Sequence, residues 1–88
     1  MTTPTTETPT DRAMALLRSV TRDTRLSAVA RVVATNTAAR IVLERAMPTP
    51  PQVAAAVGMR VRVVEDALDE LDAHGVLAEL AAIAEDAR

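Results

Sequence analysis

The amino-acid sequence predicts an all-α domain built around a helix-turn-helix, and three observations carry that expectation. Apolar residues recur at three- and four-residue spacing from Asp11 almost to the C-terminus. No residue is aromatic and Ala is abundant, so Leu, Val, Ile, Met and Ala must fill a core of closely packed helices. The stretch Thr49 to Leu77, TPPQVAAAVGMRVRVVEDALDELDAHGVL, spells a short helix, a Val-Gly-Met turn, a longer helix and a Gly stop. Around this trihelical core the pattern places an extra N-terminal helical segment and a C-terminal helix.

Each element follows in order. Residues 1–10, MTTPTTETPT, have no apolar area to offset ordering entropy and read as a disordered tail, leaving one domain over 11–88. Asp11 is the expected N-cap of the first helix, with Met14, Leu17 and Val20 on its apolar stripe. Thr21 to Arg25 lacks apolar residues and bends or breaks the helix, so 11–34 is one long helix or two short ones. Leu26, Val29 and Val33 resume the period, although the Val residues also allow a strand over 28–35. Thr35-Asn36-Thr37 offers a new cap, followed by Ala38, Ile41, Val42 and Met47 until Pro48 stops the helix.

Thr49 caps the next helix, with Pro50 and Pro51 in its first turn and Val53, Ala54 and Val57 on its buried face. Gly58 permits the left-handed turn that follows. The longer helix buries Val61, Val64, Leu68 and Leu71 and stops at Gly75, a good C′ residue. The remainder, AELAAIAEDAR, reads as a last helix with Leu80, Ile83 and Ala84 on one face.

Composition narrows the function. Eighty-eight residues make one small domain. With no Cys and a single His, disulfides and zinc sites are not expected, and no cofactor is implied. One His and no Lys, Cys or Tyr leave an enzyme only exposed carboxylates to work with, so no catalytic residue is assigned. No run of about 18 apolar residues predicts a membrane span, and no leader pattern opens the chain, so a cytoplasmic location is the expectation. The net charge of −2 hides a split: nine arginines face three acids from Asp11 to Arg62 (+6), while eight acids face Arg88 from Val63 onward (−7). Such asymmetry accompanies polyanion binding or charge-paired association.

The segment Asn36 to Leu77 resembles the winged helix-turn-helix core of MarR-type bacterial regulators, and also that of the ArsR type. Thr49, Pro50, Val53, Ala54, Val57, Gly58, Met59, Val64, Leu68, Leu71, Gly75, Val76 and Leu77 carry the resemblance. Where these families place Ser, Thr, Gln and Arg on the reading helix, this chain has Val61, Val63, Glu65 and Asp66. Where their β-wing follows, it continues as helix. The same core is similar to the PqqD-type peptide-recognition fold and to the dimerisation domain preceding small-molecule methyltransferases, which hold protein.

The resemblance implies a DNA-binding transcriptional regulator acting as a homodimer on double-stranded DNA, with helices over 11–34 and 78–87 forming the dimer. The candidate nucleic-acid-binding residues are Thr49, Gln52, Arg60, Arg62 and Val63. Arg60 and Arg62 open the reading helix, the end that enters the major groove and can clamp a guanine or a phosphate. Thr49 and Gln52 begin the positioning helix, where phosphate contacts form. Glu65, Asp66, Asp69, Glu70 and Asp72 repel phosphates and oppose counterion release. They support the alternative, a protein- or peptide-interaction module with the acidic helix 61–74 as contact surface and exposed Val63 at its centre. His74 fits a helix-end role beside the last carbonyls.

Overall fold

Helix boundaries are set here by caps at five places. The computed structural model describes residues 7–88, so residues 1–6, most of the expected tail, lie outside the described residues. The helices are α1 (Pro9–Arg22), α2 (Ala28–Glu44), α3 (Pro50–Val57), α4 (Val61–Ala73) and α5 (Val76–Ala87), with no strand among the described residues. The strand reading of 28–35 therefore falls.

Thr8, not Asp11, caps α1. The Thr8 Oγ1 accepts from the Asp11 N–H at 3.1 Å, and the Asp11 carboxylate accepts from the Thr8 N–H at 3.2 Å. This reciprocal box, with Pro9 pre-set at the first helical position, starts the helix inside the expected tail. Thr49-Pro50-Pro51-Gln52 repeats the device at α3.

The open question over 11–34 resolves as two helices. Asp23 stops α1 with extended backbone, and its carboxylate accepts from the Arg25 N–H at 3.0 Å and from the Arg25 guanidinium at 2.9 and 3.0 Å. Ser27 then caps α2 through its Oγ, which accepts from the Ala30 N–H at 3.1 Å. No helix starts at Thr35-Asn36-Thr37; α2 runs straight through. Thr35 Oγ1 donates back to the Arg31 carbonyl at 2.8 Å, and Thr37 is buried, so neither side chain is available to cap. Packing of Val33, Ala34, Ala38 and Ile41 on both sides of that triplet overrides its capping propensity. Arg45, in the left-handed region at φ 57°, ends α2 before the expected Met47.

Gly58 (φ 69°) closes α3 and Gly75 (φ 77°) separates α4 from α5, both as the sequence requires. Gly75 is also the N-cap residue of α5, which begins at Val76.

α2 packs against all four other helices. α1 and α5 also pair with each other, and α4 joins α3 on one side and α5 on the other. The core draws Val20, Leu26, Val33, Ile41, Val53, Val64, Leu71, Leu80 and Ile83 from every element, with Ala30, Ala34 and Ala38 letting neighbours come close to α2. Three expected core positions face solvent instead: Met14, Met47 and Val61. On α1 the buried stripe turns to Ala13 and Val20, with Leu16 and Leu17 at its edge. On α4, Ala67 takes the place that Val61 does not fill. No helix among the described residues is long and apolar enough to cross a membrane.

The two left-handed caps make opposite predictions. A Cβ at Gly58 would meet no atom within 4 Å, so Gly58→Ala should lose about 1–2 kcal/mol from backbone conformation alone. Arg45→Gly should gain a few tenths, about 0.5 kcal/mol, because it removes the same penalty. Urea unfolding of both variants measures the signs; equal losses would show that side-chain contacts decide at these turns.

Candidate nucleic-acid interface

The candidate residues fall into two groups, at the N-terminal ends of α3 and α4. Thr49 and Gln52 belong to the first, and they are engaged with each other. Thr49 Oγ1 accepts from the Gln52 N–H at 3.4 Å, while Gln52 Oε1 accepts from the Thr49 N–H at 2.9 Å. Pro50 and Pro51 have no N–H, and the Val53 N–H is bonded to the Thr49 carbonyl at 3.1 Å. The first turn of α3 therefore has no backbone donor left for a phosphate. What remains is the Thr49 hydroxyl proton and the Gln52 side-chain NH2.

The start of α4 is built differently. The α3 chain turns at Gly58, whose left-handed backbone lets the Gly58 and Met59 N–H groups both reach the Ala54 carbonyl. Arg60 is the N-cap residue of α4 and supplies no side-chain cap, so the helix opens toward solvent without one. Arg60 is exposed and makes no ion pair among the described residues. Arg62 is more open still, its side chain 85% exposed, with Nε 3.5 Å from the Asp66 carboxylate one turn on. Two guanidinium groups thus flank an uncapped helix start, a place where an anion is favoured.

Val63 is exposed as its position off the buried stripe predicts. It lines a shallow cleft of about 220 Å³ with Ser27, Val29, Asp66, Ala67 and Glu70, and Val61 is exposed beside it.

The acidic row is not uniform. Glu65, Asp66, Asp69 and Asp72 are exposed, but Glu70 is half-buried and turned to α2. Its Oε2 accepts from the Ser27 N–H at 2.7 Å and its Oε1 from the Ser27 hydroxyl at 2.8 Å. Glu70 thereby binds the N-terminus of α2, and these hydrogen bonds from Ser27 hold its carboxyl below the ordinary carboxylate range, with His74 and Arg31 assisting. Sequence reasoning missed this tie. The signal was present: Glu70 lies three residues after buried Ala67, at the edge of the stripe, and Ser27 precedes an apolar run as a cap does. His74 Nδ1–H donates to the Glu70 carbonyl at 3.0 Å, consistent with a helix-end role.

Elsewhere the charges pair locally. Asp23–Arg25, Arg40–Glu44, Arg62–Asp66 and Glu85–Arg88 lie within four residues of one another, and only Arg12–Asp86 joins distant elements among the described residues. The basic first part and acidic second part of the chain are therefore not consumed by pairing with each other. Arg25 pulls the Asp23 carboxyl down to about 2 through side-chain and backbone hydrogen bonds.

Both depressed carboxyls bind fewer protons folded than unfolded below the ordinary carboxylate range. Their contribution is complete above that range and fades as pH falls through the folded values. Glu70→Gln should therefore melt at lower temperature than the parent at pH 7, with the gap closing by pH 3, where the parent's Glu70 is increasingly protonated. Thermal unfolding followed by circular dichroism across that range reads it. A gap that stays constant would mean the charge on Glu70 is irrelevant to the tie.

Comparison with protein-family models, with curated proteins and with solved structures finds no match to this chain.

Proposed function

We propose that the chain is a small DNA-binding regulator of the helix-turn-helix type that reads duplex DNA as a dimer. In this reading α3 positions the unit and the first two turns of α4, Arg60 to Asp66, face the major groove. The observation that carries it is the pair Arg60 and Arg62, exposed at the uncapped start of α4 just after the left-handed turn at Gly58. Such a start offers backbone donors and two forked cations to a phosphate or a guanine edge. The resemblance of Asn36 to Leu77 to MarR-type cores supports the same assignment. Thr49 and Gln52 have a smaller part, since their cap leaves only side-chain donors.

A second reading draws on Val61 and Val63, exposed side by side with Glu65, Asp66 and Asp69. Apolar residues within a charged rim fit a protein- or peptide-binding surface, with α4 as the contact helix. The two readings differ in the sign of partner they require at α4.

Fluorescence anisotropy of a labelled mixed-sequence duplex at low salt separates them. Binding is expected at micromolar protein, and replacing both Arg60 and Arg62 by Glu should abolish it. No binding at about 10 µM protein, inside the usual non-specific range, would remove the DNA reading. Unchanged affinity in the double variant would move the contact away from α4.

A further inference from the structure

We infer that the outward face of α2 is a two-fold interface with a second copy of this chain, the two α2 helices lying antiparallel. α1 and α5 bury Leu16, Leu17, Leu80 and Ile83 against α2 and each other, so their stripes are already covered within one copy. The inference concerns which surface pairs the copies and holds whether or not α4 binds DNA.

α2 is apolar on more sides than the fold covers. Its solvent face carries Ala28, Val32, Thr35, Ala39, Leu43 and, just past its end, Ala46, with no charge among them. Val32 is 45% exposed and Leu43 is 81% exposed. A helix without a polar side is ordinarily enclosed, and here one face is not. Beside the stripe lies an apolar groove of about 430 Å³, walled by Val57 of α3 and lined by Arg31, Val32, Thr35, Asn36 and Ala39.

The spacing of the stripe identifies the occupant. Ala28 and Leu43, Val32 and Ala39, and Thr35 and Asn36 are placed symmetrically about the middle of the helix. Antiparallel pairing about that midpoint sets Val32 against the partner's Ala39 and Ala28 against the partner's Leu43. Thr35 then meets the partner's Thr35, and Asn36 the partner's Asn36, beside the axis. Charge agrees, because an uncharged face selects a partner surface equally free of charge. Asn36 adds a polar reason: its Oδ1 is covered and accepts no hydrogen bond among the described residues. Turning the amide about its last torsion presents that oxygen to the partner's Asn36 NH2 across the axis, in a reciprocal pair. Size is adequate as well. A helix about 10 Å wide laid along about 25 Å of α2, with Val57 beside it, covers roughly 500 Å² per copy, near the ~1,000 Å² total of a specific interface.

Light scattering coupled to size exclusion on the full chain should show a dimer at tens of micromolar that dissociates on dilution. Val32→Glu with Leu43→Glu should give a monomer with unchanged helical circular dichroism, since both side chains face solvent. The chain has no cysteine, so single-cysteine variants report the geometry directly. Thr35→Cys or Asn36→Cys should oxidise to a disulfide-linked dimer, whereas Ala28→Cys should not, its two copies lying about 22 Å apart along the pair. A parent chain that stays monomeric at all concentrations overturns the inference. So does a dimer that survives the double glutamate variant, or cross-linking through Ala28→Cys as ready as through Asn36→Cys. A monomer that still binds DNA, or a dimer that ignores it, separates this inference from the function proposed above.

Discussion

The fold depends on one helix that is apolar nearly all round. α2 gives Ala30, Val33, Ala34, Ala38 and Ile41 to the interior, and every other helix packs on it. A chain without aromatic side chains has no large rings to span gaps between elements. Its core must be made by close approach, and alanines on the central helix permit that approach. The cost is visible at Thr37, which is buried on α2 with its Oγ1 unbonded among the described residues, a loss of about 1–3 kcal/mol for such a group. The helix is fixed at its start by more than packing. Ser27 caps it, and Glu70 of α4 holds Ser27 from outside, so the register of α4 against α2 is set by charge-assisted hydrogen bonds as well as by Val64 and Leu71.

What was legible in the sequence was local. Thr49, Gly58 and Gly75 were readable because cap and left-handed turn chemistry depends on a few adjacent residues. The break after Arg22 was readable because Thr21 to Arg25 carries nothing a core can use. The start of α1 was equally local yet misplaced: Thr8-Pro9 has the same spelling as Thr49-Pro50, but its Thr/Pro surroundings read as tail. Thr35-Asn36-Thr37 failed for a different reason. Its polar side chains favour a cap in isolation, and only the burial of residues on both sides makes an uninterrupted helix the better solution. Periodicity likewise names a stripe without fixing its edges, so Met14 and Val61 fall outside the core while Ala13 and Ala67 fall within it. In the candidate interface, the exposure of Arg60, Arg62 and Val63 followed from their positions on the helix. The engagement of Glu70 did not, because its partner is 43 residues away.

That engagement also changes how the acids of α4 weigh against its arginines. Glu70 is turned to α2 and leaves the exposed row. Asp69 and Asp72 lie about 12 and 16 Å along the helix from its first residue, beyond the roughly 10 Å over which charge is felt in 0.1 M salt. Only Glu65 and Asp66, about 6 and 7 Å along, act on an anion held at the start of α4. Asp66 is already paired with Arg62, an exposed contact worth only about 0.3–0.5 kcal/mol, so a phosphate can displace it. The local balance is two cations against two anions.

Two arginines can neutralise at most two phosphates, which sets the slope of log K against log salt near −1.8 and an affinity loss of about tenfold between 50 and 200 mM salt. A titration at several salt concentrations therefore locates the interface. A slope near −2 belongs to α4 acting alone, and two α4 helices in a dimer double it. A steeper slope than that requires arginines from outside α4. Arg18 and Arg22 are the candidates, both exposed on α1 and outside every ion pair among the described residues. α1 makes no packing contact with α4, so recruiting them means a second surface rather than a wider one.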